Sequence, residues 1–181
     1  MIFTDHLELR PMTAAFMQAL YDRRTADAAA LESVRLPDEW DVIGPHDWLR
    51  ARIMRVLAVP GLAEWSLRSI IRRDDQQVLG NIGFHEPPGM HPSDGERPGV
   101  VEFGFTVAPA FRRTGVAREA SHALMDWATR VHGVCSFRLS IAPDNAASQG
   151  LAVAIGFRHV GEYEHDARGR QLLFERVVVP L

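Results

Sequence analysis

The sequence has 181 residues, enough for one hydrophobic core that buries roughly 70% of the unfolded surface without covalent staples. Hydrophobic residues make up 46% and charged residues 24%, which excludes a disordered chain, and 20 Lys and Arg against 23 Asp and Glu give a net charge of −3, no field for nucleic acid. Cys135 is the single cysteine, so intrachain disulfides and cysteine-rich metal sites are excluded and a reducing compartment, the cytoplasm, is expected.

In chain order, Met1–Arg10 carries Asp5, His6, Glu8 and Arg10, so no signal peptide is expected there, and no apolar run approaches the roughly 20 residues of a membrane span. Leu7 and Leu9 alternate with His6, Glu8 and Arg10 as a strand that Pro11 stops, because proline has no N–H to give the ladder. A helix capped by Thr13 follows, with Phe16, Met17, Leu20 and Tyr21 on its apolar face. Residues 26–35 predict a second helix, and 36–45 a break at Pro37, Gly44 and Pro45. Residues 46–57 predict a third helix, with Trp48, Leu49, Ile53, Val56 and Leu57 on one side and Pro60-Gly61 after it.

Residues 65–71 and 78–85 read as a hairpin turning at Asp74-Asp75-Gln76. Between Glu86 and Gly99, Pro87, Pro88, Pro92, Pro98, Gly89 and Gly95 leave only a surface loop, in which His91 is read as solvated. Val100 to Val107 is a strand ended by Pro109, and 114–132 a long helix burying Val116, Ala120, Ala123, Leu124, Trp127 and Val131. A strand over 136–142, a helix over 146–155 ended by Gly156, and strands over 157–164 and 171–179 complete one mixed α/β domain spanning 1–181, with no repeat and no linker. Trp40, Trp48, Trp65 and Trp127 read as core or groove-wall aromatics. The eight histidines show no ligand spacing on one helix, so no metal is expected.

The segment most informative about chemistry is Val101-Glu102-Phe103-Gly104-Phe105-Thr106-Val107-Ala108-Pro109-Ala110-Phe111-Arg112-Arg113-Thr114-Gly115-Val116-Ala117. A strand running through a glycine turn into a helix presents unpaired backbone N–H groups to an anion, and phosphate is the natural occupant. Gly115 allows close approach, Ala117 keeps the next turn small, and Arg112 and Arg113 add charge. Two solvated arginines in an ordinary connection are the plain alternative.

Arg112-x-x-Gly115-x-Ala117, together with Asn145-x-x-Ser148 eight residues before Gly156-Phe157, resembles the GCN5-related N-acetyltransferase (GNAT) superfamily. Leu7-Glu8-Leu9-Arg10-Pro11-Met12 and Glu102-Phe103-Gly104-Phe105 are similar to its ribosomal-protein N-terminal acetyltransferase-like branch. The resemblance covers nearly the whole chain and is weakest over 26–60 and 86–99. It implies an α/β (α+β) fold with a mostly antiparallel sheet of six to seven strands, splayed between strands four and five and flanked by helices. It also implies acetyl-CoA as cosubstrate, with the amides of Arg112, Arg113, Thr114, Gly115, Val116 and Ala117 on the pyrophosphate. Phe105, Thr106 and Val107 would pair with pantetheine, and Asn145 would lie beside that arm.

An amine would then attack the thioester directly in a ternary complex, without a metal. Glu102 matches a carboxylate position of this branch and is the first candidate base, with His85 and Glu86 as alternatives through water; an exposed strand carboxylate or a structural ion pair is the competing reading of Glu102. The tyrosine that many members use to protonate the leaving thiolate is Ala152 here, so Ser148 is named in its place, against a simple first-turn role. The acceptor is expected to be an amine-bearing small molecule or a peptide N-terminus. Asp22, Asp38, Asp41, Glu162, Glu164 and Asp166 lie in the segments implied to line its groove, where they either attract a cation or simply solvate the surface. Family members often form homodimers, and nothing in the sequence locates an interface. A non-catalytic acyl-CoA-binding or regulatory domain is the alternative that Ala152 keeps open.

Overall fold

The computed structural model describes residues 1–38, 47–89, 99–166 and 168–178. Trp40, Asp41, the expected helix start at His46, the loop residues His91, Pro92, Gly95 and Pro98, and the strand end at Val179 lie outside the described residues. The elements in chain order are β1 (Ile2–Phe3), β2 (Leu7–Pro11), α1 (Ala14–Tyr21), α2 (Thr25–Glu32), α3 (Asp47–Ala58), α4 (Leu62–Trp65), β3 (Leu67–Arg72), β4 (Gln77–Phe84), β5 (Val100–Val107), α5 (Val116–His132), β6 (Ser136–Ile141), α6 (Ala146–Ala154), β7 (Arg158–His165) and β8 (Gly169–Val177). A 3-10 turn, Pro109–Phe111, links β5 to the loop before α5.

The strand order is β1-β2-β3-β4-β5-β6-β8-β7. Neighbours β1–β2, β2–β3, β3–β4, β6–β8 and β7–β8 run antiparallel, and β5–β6 runs parallel. Among the described residues there are eight strands, one or two more than the sequence predicts, because the two-residue Ile2–Phe3 pairs with Glu8 and Leu9 as an extra edge. The parallel ladder holds only for Val100↔Ser136, Val101↔Phe137 and Glu102↔Arg138, although β5 runs on to Val107 and β6 to Ile141.

The chain forms two compact units, Met1–Gly83 with Phe105–Leu124 and Phe84–Gly104 with Met125–Leu181. In the first, Thr13 Oγ1 accepts from Phe16 N at 3.1 Å and starts α1, whose Phe16, Met17 and Leu20 pack with Ala28 of α2, Leu49 and Ile53 of α3, and Leu67, Ile71 and Val78 of the hairpin. Arg10 donates from Nε and Nη2 to the two Glu8 carboxylate oxygens at 2.7 and 2.8 Å, so the polar face of β2 is covered instead of solvent-facing as the alternation predicts.

In the second unit, Phe84 stands at the centre of an aromatic core, with ring centroids 6.0 Å from Phe103, 6.3 Å from Trp127 and 6.4 Å from Phe137. Phe157 adds an edge contact to Phe103 at 6.0 Å. Each such pair contributes about 0.5–1.5 kcal/mol beyond the area it buries.

Three expected core residues are exposed: Trp48 at 44%, Leu57 at 67% and Val131 at 60%. On α3 the buried residues are Leu49 and Ile53, and Trp48 and Leu57 flank them. On α5 the buried residues are Ala120, Ser121, Leu124, Met125 and Ala128, and Val131 continues that face into the last turn of the helix, where it is exposed.

Candidate active site

Within the first unit, β5 delivers the chain into the loop before α5. Arg113 has φ 61° and Gly115 φ 88°, two left-handed residues in a three-residue span, a backbone shape that turns successive N–H groups toward one point. Arg112, Arg113, Thr114 and Gly115 are exposed, and a Cβ placed on Gly115 would meet nothing within 4 Å, so the space over the loop is open. α5 starts at Val116, and Glu119 N is bonded back to Gly115 O at 3.0 Å; the N–H groups of Val116, Ala117 and Arg118 belong to the first turn, where a helix offers no acceptor.

Two side chains fix the loop. Thr114 Oγ1 donates to Phe111 O at 2.7 Å, and Arg112 Nε donates to Val107 O at 2.9 Å. Arg112 is thus a tie to the strand end as well as a charge. The Thr106 carbonyl faces Gly80 of β4, so alternation turns the backbone groups of Phe105 and Val107 to the opposite edge, where Arg112 already engages the Val107 carbonyl. Of the three residues named for pantetheine pairing, Phe105 has both its backbone groups on that edge.

Within the second unit, Glu102 is buried, not exposed, and its Oε1 lies 3.2 Å from His85 Nδ1. The two residues are fastened through the backbone as well, His85 N donating to Glu102 O at 2.8 Å. Across β6, Arg138 stands opposite Glu102 in register and donates from Nη2 to Glu175 Oε1 at 2.9 Å; Arg158 of β7 is in turn opposite Glu175. A row of alternating charge therefore crosses four strands, and Arg138 and Glu175 were not foreseen. The available signal was an arginine inside the apolar run 137–141, which calls for a carboxylate partner.

Asn145 caps α6, its Oδ1 accepting from Ser148 N at 3.1 Å, and Gln149 Nε2 donates to Ala142 O and Pro143 O at 3.1 and 2.9 Å to hold the turn. Asn145 is exposed, Ser148 half-buried and Ala152 fully buried. Of the acidic residues named for an acceptor groove, Glu162 accepts from Arg170 Nε and Nη2 at 3.0 and 2.6 Å, and Asp22 accepts from Gln18 at 2.9 Å. Asp38, Glu164 and Asp166 are exposed. Among the described residues no group of three His, Cys, Asp or Glu is disposed to hold a metal ion, and no helix is long and apolar enough to cross a membrane.

The profile of the Acetyltransferase (GNAT) domain matches residues 6–158. The uncharacterized N-acetyltransferase YjdG of Bacillus subtilis strain 168 is 28% identical over 133 residues, which are 70% of this chain and 73% of that protein. An acetyltransferase (GNAT family) from Bacillus anthracis superposes with a TM-score of 0.65 at 16% identity, covering 97% of both chains. RimL, a ribosomal L7/L12 alpha-N-protein acetyltransferase solved in complex with coenzyme A, superposes with a TM-score of 0.64 at 16% identity over 97% of this chain and 96% of its own. The chain belongs to the GNAT acetyltransferase family, and it is an N-acetyltransferase.

Proposed function

We propose that this chain, acting as one catalytic domain in the cytoplasm, moves acetyl from acetyl-CoA to a primary amine, which attacks the thioester directly in a ternary complex. The observation that carries the reading is the open, doubly left-handed loop at Arg112–Ala117, whose outward amides suit a pyrophosphate. RimL, a structural relative, was solved with coenzyme A, and its acceptor is a protein N-terminus; the acceptor here is of the same class, a peptide N-terminus or a small amine.

In this reading the amides from Arg113 to Ala117 and the Arg113 guanidinium hold the pyrophosphate. The Phe105 edge of β5 pairs with the pantetheine amides, and a strand N–H polarises the thioester carbonyl. Binding both partners in line supplies much of the rate. Asn145 lies beside the arm, and Ser148 gives the departing thiolate its proton, a modest task because a thiol of ordinary pKa about 8.5 leaves readily. Removing a proton from the ammonium falls to the His85–Glu102 end of β5.

The test is coenzyme A release from acetyl-CoA against peptides, amino acids, polyamines and aminoglycosides, with product masses recorded and acetyl-CoA affinity measured by calorimetry. Transfer to one amine class is expected. Gly115→Glu should raise the acetyl-CoA dissociation constant at least about tenfold, since a side chain there costs about 1–2 kcal/mol at positive φ and its carboxylate repels phosphate. Equal affinity in Gly115→Glu, or acetyl-CoA hydrolysis without transfer to any amine, overturns the proposal.

A further inference from the structure

The proton-handling end of β5 carries two candidates, and their geometry distinguishes them. The Glu102 side chain is 5% exposed and that of His85 29%, so the imidazole is the more accessible of the two. Nδ1 lies 3.2 Å from Glu102 Oε1, an ion-pair distance, while Nε2 lies over Gly104, where a Cβ would come within 3.2 Å of it. Glu102 and Gly104 lie two residues apart on one face of the strand, so Nε2 is displaced from the carboxylate toward the C-terminal end of β5, the end that leads to Phe105. The carboxylate in turn stands in register with Arg138, which is tied to Glu175.

Resting on the function proposed above, we propose that His85 is the catalytic base and that Glu102 is a positioning residue, its carboxylate lying at ion-pair distance from Nδ1 and favouring the ring placement that leaves Nε2 for the acceptor. The ammonium gives one proton to His85 Nε2. The freed lone pair forms the N–C bond at the thioester carbonyl carbon, and the C–S bond breaks with its electron pair on sulfur. A second proton passes from nitrogen to the thiolate by way of the Ser148 hydroxyl, which gives one proton to sulfur and takes one back, and His85 returns the first to solvent, leaving amide, free thiol and one released proton. Imidazole suits this transfer at neutral pH. Among the described residues, the charged groups near the ring include Glu102 across the strand pair, buried Glu86 next in the chain, and, behind Glu102, Arg138 and Glu175.

The experiment is the pH dependence of kcat/KM for the wild type, His85→Ala, His85→Gln and Glu102→Gln, using a basic acceptor amine and one of low basicity that arrives already neutral. Both His85 variants should lose about 100-fold at neutral pH with the basic amine and lose the acid limb, while the acetyl-CoA KM is unchanged. The loss should shrink with the weakly basic amine, and free imidazole should restore His85→Ala in part. Glu102→Gln should be slower yet keep the limb. A limb that survives in the His85 variants and vanishes in Glu102→Gln overturns the assignment and returns the role to Glu102. Should either His85 variant unfold by circular dichroism, the other decides. Failure of the wild type to acetylate any amine overturns the functional reading itself, and this assignment with it.

Discussion

Gly104 gives the His85 ring the room to lie as it does. A methyl group at this position would press on Nε2 at 3.2 Å, and the ring must shift by a few tenths of an ångström from its place beside Glu102. Gly104→Ala is therefore expected to lower kcat about tenfold, because small displacements of a reacting group carry large rate penalties, while acetyl-CoA affinity and Tm stay close to wild type. Steady-state kinetics beside calorimetry check this. An unchanged kcat would mean that the ring position does not matter to turnover. Gly115 serves a different need: nothing lies near its missing Cβ, and its backbone conformation at φ 88° is what the loop requires.

β4 shows how one element depends on missing side chains. A Cβ on Gly80 would run into the carbonyl of Thr106, and one on Gly83 would come within 2.8 Å of the Leu67 Cα; both obstacles are backbone and cannot rotate aside. Gly80→Ala is expected to destabilise the fold by about 1–3 kcal/mol, with the C-terminal half of β5 pushed away from β4, which urea unfolding would register as a lower midpoint at unchanged slope.

Elements of this length were legible because their periodicity extends over several turns or pleats: β5 was read with its observed bounds, and α1, α3, α5 and α6 to within about two residues. β1 and α4 were not, since two and four residues carry no period, and α4 starts at Gly61 without a side-chain cap. The glycine turn between β5 and α5 was visible as local spacing. The His85–Glu102 contact and the row through Arg138 were not visible in the same way, because they depend on which residue stands opposite which across a ladder, and a one-residue slip would send every partner to the other face.

At the scale of the whole molecule, a net charge of −3 leaves no strong overall field, so pH acts on stability through particular pairs. The clearest is at the β3–β4 turn. Arg72 donates from Nε and Nη2 to the two Asp75 oxygens at 2.9 and 2.8 Å, Gln77 N reaches Oδ1 at 3.3 Å, and Arg35 Nη1 lies 3.6 Å away. The Arg72 hydrogen bonds above all lower the Asp75 carboxyl from 3.8 to about 2. A carboxyl that binds its proton less tightly when folded stabilises the fold at pH values above its unfolded pKa, and that contribution fades as pH falls through about 4 to about 2. Asp75→Asn is therefore expected to lower Tm modestly at neutral pH, modestly because the pair is solvent-screened, and the two Tm curves should converge as pH approaches 2. A gap between the curves that stays constant down to that pH would show that Asp75 acts through the shape of its turn and not through its charge.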